Sequence, residues 1–363
     1  MVSGLFIFNS LGRLRFSSEY LYAMTFIRPA LLLISFLFTA CISPSHLDKT
    51  ESGSTPERCL VRRAAMDIGS GSTKIKVADV DICREKTLSI LFNGQTPLAL
   101  KENIKQGSFS PEFIKTASEQ ILKLAKEATK HDVPLNKIAA VGTQALREAG
   151  NSQDLVNELK RSQLQLRLIT QGEEAELGHR AAVSDSDIDA KEVTSFDIGG
   201  GSFQIVSLSP KTDVIGGHLA SVSFKDHIVE RIQRRPPNAS PNPIKEDDAK
   251  RAIGFAEQYA RDLKRKNPKF VFQKTIVGVG GVFGFSVAGQ LGKTSFKASD
   301  LEEAYPKLIS RRSDEIRGDF RDTESTNLLL VLGLLRGFGL ENHEILVKKA
   351  NLSDGILTNS AYY

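Results

Sequence analysis

An α/β fold of two similarly built domains with a ligand cleft between them is what this sequence predicts, and three observations carry that expectation. The stretch SFDIGGGSFQIV (195–206) reads as an apolar strand, one Asp, three consecutive glycines and an immediate second strand. It has a gapless twin: AAMDIGSGSTKIKV (64–77) aligns with TSFDIGGGSFQIVS (194–207), placing Asp67 on Asp197, Gly69 on Gly199, Gly71 on Gly201 and Ser72 on Ser202. Each twin continues alike, through a polar turn into another apolar run (DICREK then TLSILF; LSPKTD then VIGGHLASVSF). Internal repetition outranks local reading and marks two units of one design.

The elements follow in order. After the first hairpin, SPEFIKTASEQILKLAKEATKH (110–131) predicts a helix, with Ser110 as N-cap, Pro111 at the first helical position and apolar residues at helical spacing from Phe113 to Ala128. KIAAVGTQALREAGN (137–151) predicts a short buried strand, a turn and a helix, and LQLRLITQGEEAELGHRAAV (164–183) repeats that arrangement. The second copy starts near 191. It continues, after a Pro-rich loop at 234–243, with a helix in 245–267, a strand at 274–281, helices in 299–310 and 324–339, and a strand at 343–350. Hairpins followed by alternating helix and strand fit a ribonuclease-H-like design, a mixed sheet flanked by helices. The expected organisation is a targeting segment (1–41), a flexible tether (42–60) and two such domains (61–190 and 191–363).

Composition agrees with this. The 363 residues are 40% hydrophobic and 25% charged, ordinary for a globular chain long enough for two cores. The net charge of +5 is modest, and the basic runs at 231–235, 264–266 and 311–312 read either as solvated helix faces or as polyanion attractors. No zinc-ligand spacing and no Trp accompany them, so a nucleic-acid partner is not expected. PALLLISFLFTA (29–40) follows Arg28 and is too short to span a bilayer comfortably. Ending in FTAC, it resembles a bacterial lipoprotein signal with Cys41 as the lipidated residue, although Phe38 stands where Leu is usual; an uncleaved anchor and a plain secretory signal are the alternatives. Residues 42–60 are rich in Ser, Pro and charge. Cys59 and Cys83 have no C-x-x-C spacing, and their pairing stays open.

Two glycine turns stripped of side chains, each beside an Asp, are suited to clamp a metal-bound polyphosphate from both sides: backbone N–H groups close on the anion and the Asp holds its metal. A single such turn reads equally well as a tight hairpin that uses glycine's tolerance of positive φ. Thr143 and Arg147 follow a strand end, where side chains project into a crevice and an Arg can grip phosphate. Glu173 and Glu174 open a helix, where the helix dipole favours carboxylates anyway; a carboxylate there can also activate water.

In order, MDIGSGST, GTQALREAGN, ITQGEEAELG, FDIGGGSFQIV, VGVGG and LSDGIL resemble the exopolyphosphatase/guanosine pentaphosphate phosphatase family of the actin-like ATPase superfamily, in its short two-domain form. The resemblance runs from about Ala64 to Asn359. It implies hydrolysis of the terminal phosphate of inorganic polyphosphate, or of guanosine pentaphosphate, with Mg²⁺ or Mn²⁺. It implies Glu174 as the water-activating base, Arg147 as the phosphate-gripping arginine, and Asp67 and Asp197 as metal-positioning residues. The phosphate-binding set it implies is Gly69, Ser70, Gly71, Ser72, Thr143, Gly199, Gly200, Gly201, Ser202, Gly280 and Gly281. Four positions depart from the family pattern: Gln204 replaces Glu, Gly71 replaces Asn, Val282 replaces Thr, and Ser221 replaces a Gly expected in the second hairpin. A lipid-anchored protein of the bacterial envelope would meet polyphosphate or another phosphoanhydride as substrate. A homodimer is compatible with this reading, and so is a polyphosphate-binding lipoprotein without turnover.

Overall fold

The computed structural model describes residues 57–363 apart from 186, 187 and 319; Cys41, the expected targeting segment and most of the tether lie outside the described residues. The first twin is a hairpin of β1 (Leu60–Ile68) and β2 (Ser72–Asp81), extended by β3 (Lys86–Pro97). Helix α1 (Pro111–Thr129) follows, N-capped by Ser110, whose hydroxyl accepts from the Phe113 N–H. Then come β4 (Ile138–Gly142), α2 (Gln144–Glu148), α3 (Ser152–Arg161), β5 (Leu166–Leu168) and α4 (Gln171–Val183). The first sheet has the order β3-β2-β1-β4-β5, with β2 antiparallel to β1 and β4 parallel to it.

The second twin builds the same order. Strands β6 (Val193–Ile198), β7 (Phe203–Ser207) and β8 (Asp213–Gly217) form its antiparallel part. After α5 (Ser221–His227) and α6 (Glu246–Lys266), β9 (Thr275–Val279) pairs parallel with β6. Helix α7 (Ala288–Leu291), the short edge strand β10 (Ser295–Phe296), α8 (Ala298–Leu308) and α9 (Arg321–Phe338) precede β11 (Ile345–Val347), which pairs parallel with β9. The sheet runs β10-β11-β9-β6-β7-β8, so β6, β7, β8, β9 and β11 occupy the places of β1 to β5. The predicted pair of ribonuclease-H-like units is therefore present. The apolar run at 214–224 is strand only to Gly217 and then turns into α5, so Ser221 opens a helix rather than sitting in the hairpin.

Each sheet buries an apolar face under its own helices. Met66, Ile68, Ile75 and Val77 pack with Ala117, Ile121 and Ala125 of α1; Phe196, Phe203 and Ile205 pack with Ala252 and Ala256 of α6 and Leu334 and Phe338 of α9. Phe196 meets Phe203, Phe283 and Phe338 at ring distances of 5.3–6.1 Å. Helix α4 packs against both sheets. Its Leu177 joins the core of the first, while Ala181 and Ala182 sit with Val193 and Val277 of the second.

The last helix, α10 (Leu352–Thr358), corrects the expectation that residues 191–363 belong together. It returns to the first sheet, where Leu352, Ile356 and Leu357 pack with Ala65, Ala78 and Val141. Buried Lys76 of β2 donates to both carboxylate oxygens of Asp354 at 2.6 Å, and Arg63 of β1 donates to the Leu357 carbonyl at 2.9 Å. Cys59 and Cys83 form a disulfide that ties the start of β1 to the turn after β2. Among the described residues, no helix is long and apolar enough to cross a membrane.

Gly355 of α10 lies on the Leu177 backbone carbonyl of α4, with no room for a Cβ. Gly355→Ala should therefore destabilise the fold by about 1–3 kcal/mol, because backbone blocks the methyl and neither helix can yield separately. Gly254→Ala, on the exposed interior of α6 with nothing near its Cβ, should stabilise by about 0.5–1 kcal/mol through helix propensity alone. Urea unfolding of both variants checks this; equal effects would mean that α10 is not wedged against α4.

Candidate active site

A cleft of about 250 Å³ lies where the two hairpin turns face each other. It is lined by Asp67 and Gly69 to Ser72 from the first turn, by Asp197 and Gly199 to Ser202 from the second, by Thr143 after β4, Glu174 on α4, and Gly280 and Gly281 after β9. Every phosphate-binding, metal and base residue expected from the sequence is thus gathered in one place. Arg147 does not line the cleft.

Strand register sets the carboxylates. Asp67 is the last but one residue of β1, and Asp197 holds the same place in β6. Both turns close identically: the Gly69 N–H donates to the Ser72 carbonyl at 3.0 Å, and the Gly199 N–H to that of Ser202 at 2.9 Å. None of these turn glycines has a positive φ, so the hairpin reading that rested on glycine's left-handed freedom is set aside. Gly201 is needed for close approach instead, since a Cβ there would meet Ser70 Oγ and the Gln144 side chain. Gly280 combines both constraints: its φ is +82°, and a Cβ would collide with the Asp197 carboxylate.

The two glutamates at the start of α4 divide their roles. Thr170 caps the helix, its hydroxyl accepting from the Glu173 N–H, while the Glu173 carboxylate accepts from the Thr170 N–H at 2.8 Å. Glu173 is thereby committed to the helix start, and Glu174 turns into the cleft. Arg147 holds it there, donating to Glu174 Oε2 at 2.8 Å and to the Ile169 carbonyl at 2.9 Å.

Asp67, Glu174 and Asp197 are 6%, 8% and 8% exposed, too buried for water to carry their charge. Burial raises the Glu174 carboxyl to about 7; Arg147 opposes the rise, and the charges of Asp197 and Asp67 add to it. Burial likewise pushes Asp197 up to about 6, against Lys74 and with the help of Asp67. Carboxylates beside serine hydroxyls are the oxygen donors a hard divalent ion takes, with substrate oxygens and water completing its shell, so the residues fit Mg²⁺ or Mn²⁺. Among the described residues, the three carboxylates do not all come within 4.8 Å of one another.

Sequence reasoning missed several lining residues. Lys74 faces Asp67 across the hairpin, with its Nζ 3.5 Å from Asp67 Oδ2. Gln144 Nε2 bonds Glu148 at 2.7 Å, leaving a buried Oε1 without a partner. Ser221 donates to Asn327 Oδ1 at 2.7 Å, and Asn327 donates to Ser286 Oγ at 3.1 Å. Phe320, Thr323, Glu324 and Asn327 reach the cleft at helical spacing from the start of α9, and Phe285 opposes as a second exposed aromatic. Of these, Lys74 carried a signal through its alignment with Gln204 in the repeat, and Ser221 through its departure from the family pattern. Gln204 is 3% exposed and donates to Ser202 Oγ at 3.1 Å. None of the basic runs lines the cleft.

The model of the Ppx/GppA phosphatase family matches residues 77–223. No curated protein sequence matches the chain. Among solved structures, the Ppx/GppA family member from Aquifex aeolicus is 20% identical, with a TM-score of 0.65, over 82% of this chain and 97% of that one. An exopolyphosphatase from Cytophaga hutchinsonii is also 20% identical, with a TM-score of 0.64, over 82% of this chain and 96% of the other. At such identities the structural likeness is one of fold, and it covers 82% of the chain, whereas the sequence match begins within β2. The ordered motifs gathered at one cleft accord with this similarity to the Ppx/GppA phosphatase family.

Proposed function

We propose that the protein is a hydrolase that releases the terminal phosphate of inorganic polyphosphate or of a nucleotide phosphoanhydride. The observation that carries this reading is Glu174, a buried carboxylate with a raised pKa, held by Arg147 beside two facing phosphate cradles. A phosphoryl group seated between the turns would receive backbone N–H groups and serine hydroxyls on its oxygens. Glu174 would accept a proton from water as the water oxygen bonds to phosphorus; the bond to the bridging oxygen breaks, and its electron pair leaves with the shortened chain. Asp67 and Asp197 would hold Mg²⁺ or Mn²⁺, which supplies charge neutralisation to the phosphate oxygens when bound. Arg147 acts through Glu174 and is a positioning residue in this scheme.

A second reading, a polyphosphate-binding protein without turnover, draws support from Gln204. Its amide is tied to Ser202 where a carboxylate would add negative charge toward the metal. We also infer attachment to an envelope membrane through Cys41, which accords with the Cys59–Cys83 disulfide, a bond that persists in oxidising compartments.

Glu174→Gln should lower phosphate release from polyphosphate by about 10²–10⁴-fold, the usual contribution of a general base, with little change in polyphosphate binding. Because burial keeps Glu174 protonated below its raised pKa, the active ionised form grows as pH rises, and kcat/KM of the unmutated protein should climb through about pH 7. A flat profile between pH 5 and 8, or a Gln variant of near-normal turnover, would remove Glu174 from the role. Gln204→Glu should increase Mg²⁺-stimulated hydrolysis; two proteins that bind polyphosphate and release no phosphate at saturating metal would establish the binding reading. Cys41→Ser should abolish incorporation of labelled lipid, and undiminished membrane attachment in that variant would favour an uncleaved anchor.

A further inference from the structure

At the end of the first sheet remote from the cleft, the surface changes character. Leu60, Val61, Leu88 and Ile90 are all exposed there, Leu88 at 50% and Ile90 at 46%. Register brings them together. Val61 pairs with Val80 and Val80 with Thr87, so the start of β1 stands level with Thr87, about 10 Å away across two strand spacings. Leu88 and Ile90 follow on β3, the edge strand of that sheet. Beside them a second cavity, of about 430 Å³, opens between β3 and the segment after β11; Leu88 and Ile90 line one wall, Lys348 and Lys349 the other. Lys349 is exposed, and the exposed Arg58 and Arg84 flank the Cys59–Cys83 disulfide.

What covers this corner follows from the chain around it. Register shifts between β2 and β3 leave Leu88 and Leu91 opposite no residue of β2. Bulges of this kind keep an edge from pairing with a further strand, so a second copy adding its own sheet is a poor occupant. A bilayer needs no backbone pairing. It takes apolar side chains into the headgroup–acyl boundary and draws lysine and arginine to anionic headgroups. The chain also enters at this corner: the described residues begin at Glu57, next to the disulfide, and fifteen residues (42–56) separate it from Cys41. Fifteen residues span at most about 50 Å, so attachment at Cys41 alone would leave the orientation of the protein unset.

We propose that this corner is the membrane-docking face of the protein, with Leu88 and Ile90 entering the boundary of an anionic bilayer and Lys348, Lys349, Arg58 and Arg84 meeting its phosphate headgroups. The proposal rests on the reading of Cys41 as the point of attachment. It gives the molecule a defined orientation. At about 3.3 Å per residue, β1 carries the chain about 27 Å from Leu60 to Ile68 and the first glycine turn, so the cleft stands clear of the lipid.

The sequence contains no Trp, so one introduced indole reports on a single place. The test uses the full chain reconstituted in vesicles of phosphatidylglycerol and phosphatidylcholine in equal parts, with flotation to measure attachment. Brominated acyl chains should quench Leu88→Trp emission about threefold, since its indole would sit at the acyl boundary. Ile90→Trp serves as a second reporter, and circular dichroism shows which of the two is folded. Phe255→Trp, at an exposed position on α6 in the other half of the molecule, should stay unquenched. Lys349→Glu in the Leu88→Trp chain should remove about half of the quenching or more, through loss of attraction to the headgroups. A chain that floats with the vesicles while both β3 reporters stay unquenched would overturn the proposal and leave the attachment reading standing. Equal quenching of Phe255→Trp, or equal quenching on phosphatidylcholine alone, would also overturn it. A chain that does not float would overturn the attachment reading and the proposal together.

Discussion

Three buried carboxylates line one cleft, and much of this structure is arranged to hold them there. Asp67 and Asp197 come from equivalent strand ends, and Glu174 comes from a helix packed against both sheets. Burial raises the values of Glu174 and Asp197, because it disfavours their charged forms. Such desolvated charge works against stability, and natural active sites carry it because the chemistry needs a base and a cation site in one dry place. The phosphate chain proposed as substrate would add further negative charge. The cleft therefore makes sense only with positive partners, and those the protein supplies are few and fixed in position.

The means of holding the carboxylates are backbone geometry and long-range packing. Two turns of identical closure approach so closely that Gly201 has no space for a methyl group. Gly280 then lets the backbone pass under the Asp197 carboxylate. Helix α10 crosses back to the first sheet and is pinned by the buried Lys76–Asp354 pair, so the chain fastens its two halves together on either side of α4. Removing one member of such a pair would leave an uncompensated charge in the interior. The cleft thus depends on contacts remote from it.

Much of this was legible in the sequence. The twin hairpins announced the duplication, and the alternating helix and strand patterns fixed the order of nearly every element. The cleft residues expected from the motifs do meet. What was illegible depended on tertiary choice. Nothing local distinguishes a C-terminal helix that stays with its own sheet from one that returns to the other. Helix α9 shows Phe320, Thr323, Glu324 and Asn327 at helical spacing, but only the packed fold reveals that this face borders the cleft. Arg147 was placed correctly on its helix, yet its partner is set by where α4 lies. The distinction between Glu173 and Glu174 was within reach, because Thr170 and Glu173 have capping-box spacing and that commitment leaves Glu174 as the free carboxylate.

The duplicated design also shows where symmetry must fail. Two identical half-sites would present a phosphoryl group with the same surroundings on both flanks. The proposed hydrolysis is not symmetric: water would arrive on one side and the chain depart from the other. Here the symmetry is kept in the strands and turns, which only need to approach and cradle, and is broken in the side chains that carry charge. Glu174 projects from α4 into the shared cleft, in contact with one arginine. The cross-strand partner of the aspartate is Lys74 in one hairpin and Gln204 in the other. In this chain the backbone repeats while the electrostatics do not, and under the proposed hydrolysis the direction of reaction would come from the part that does not repeat.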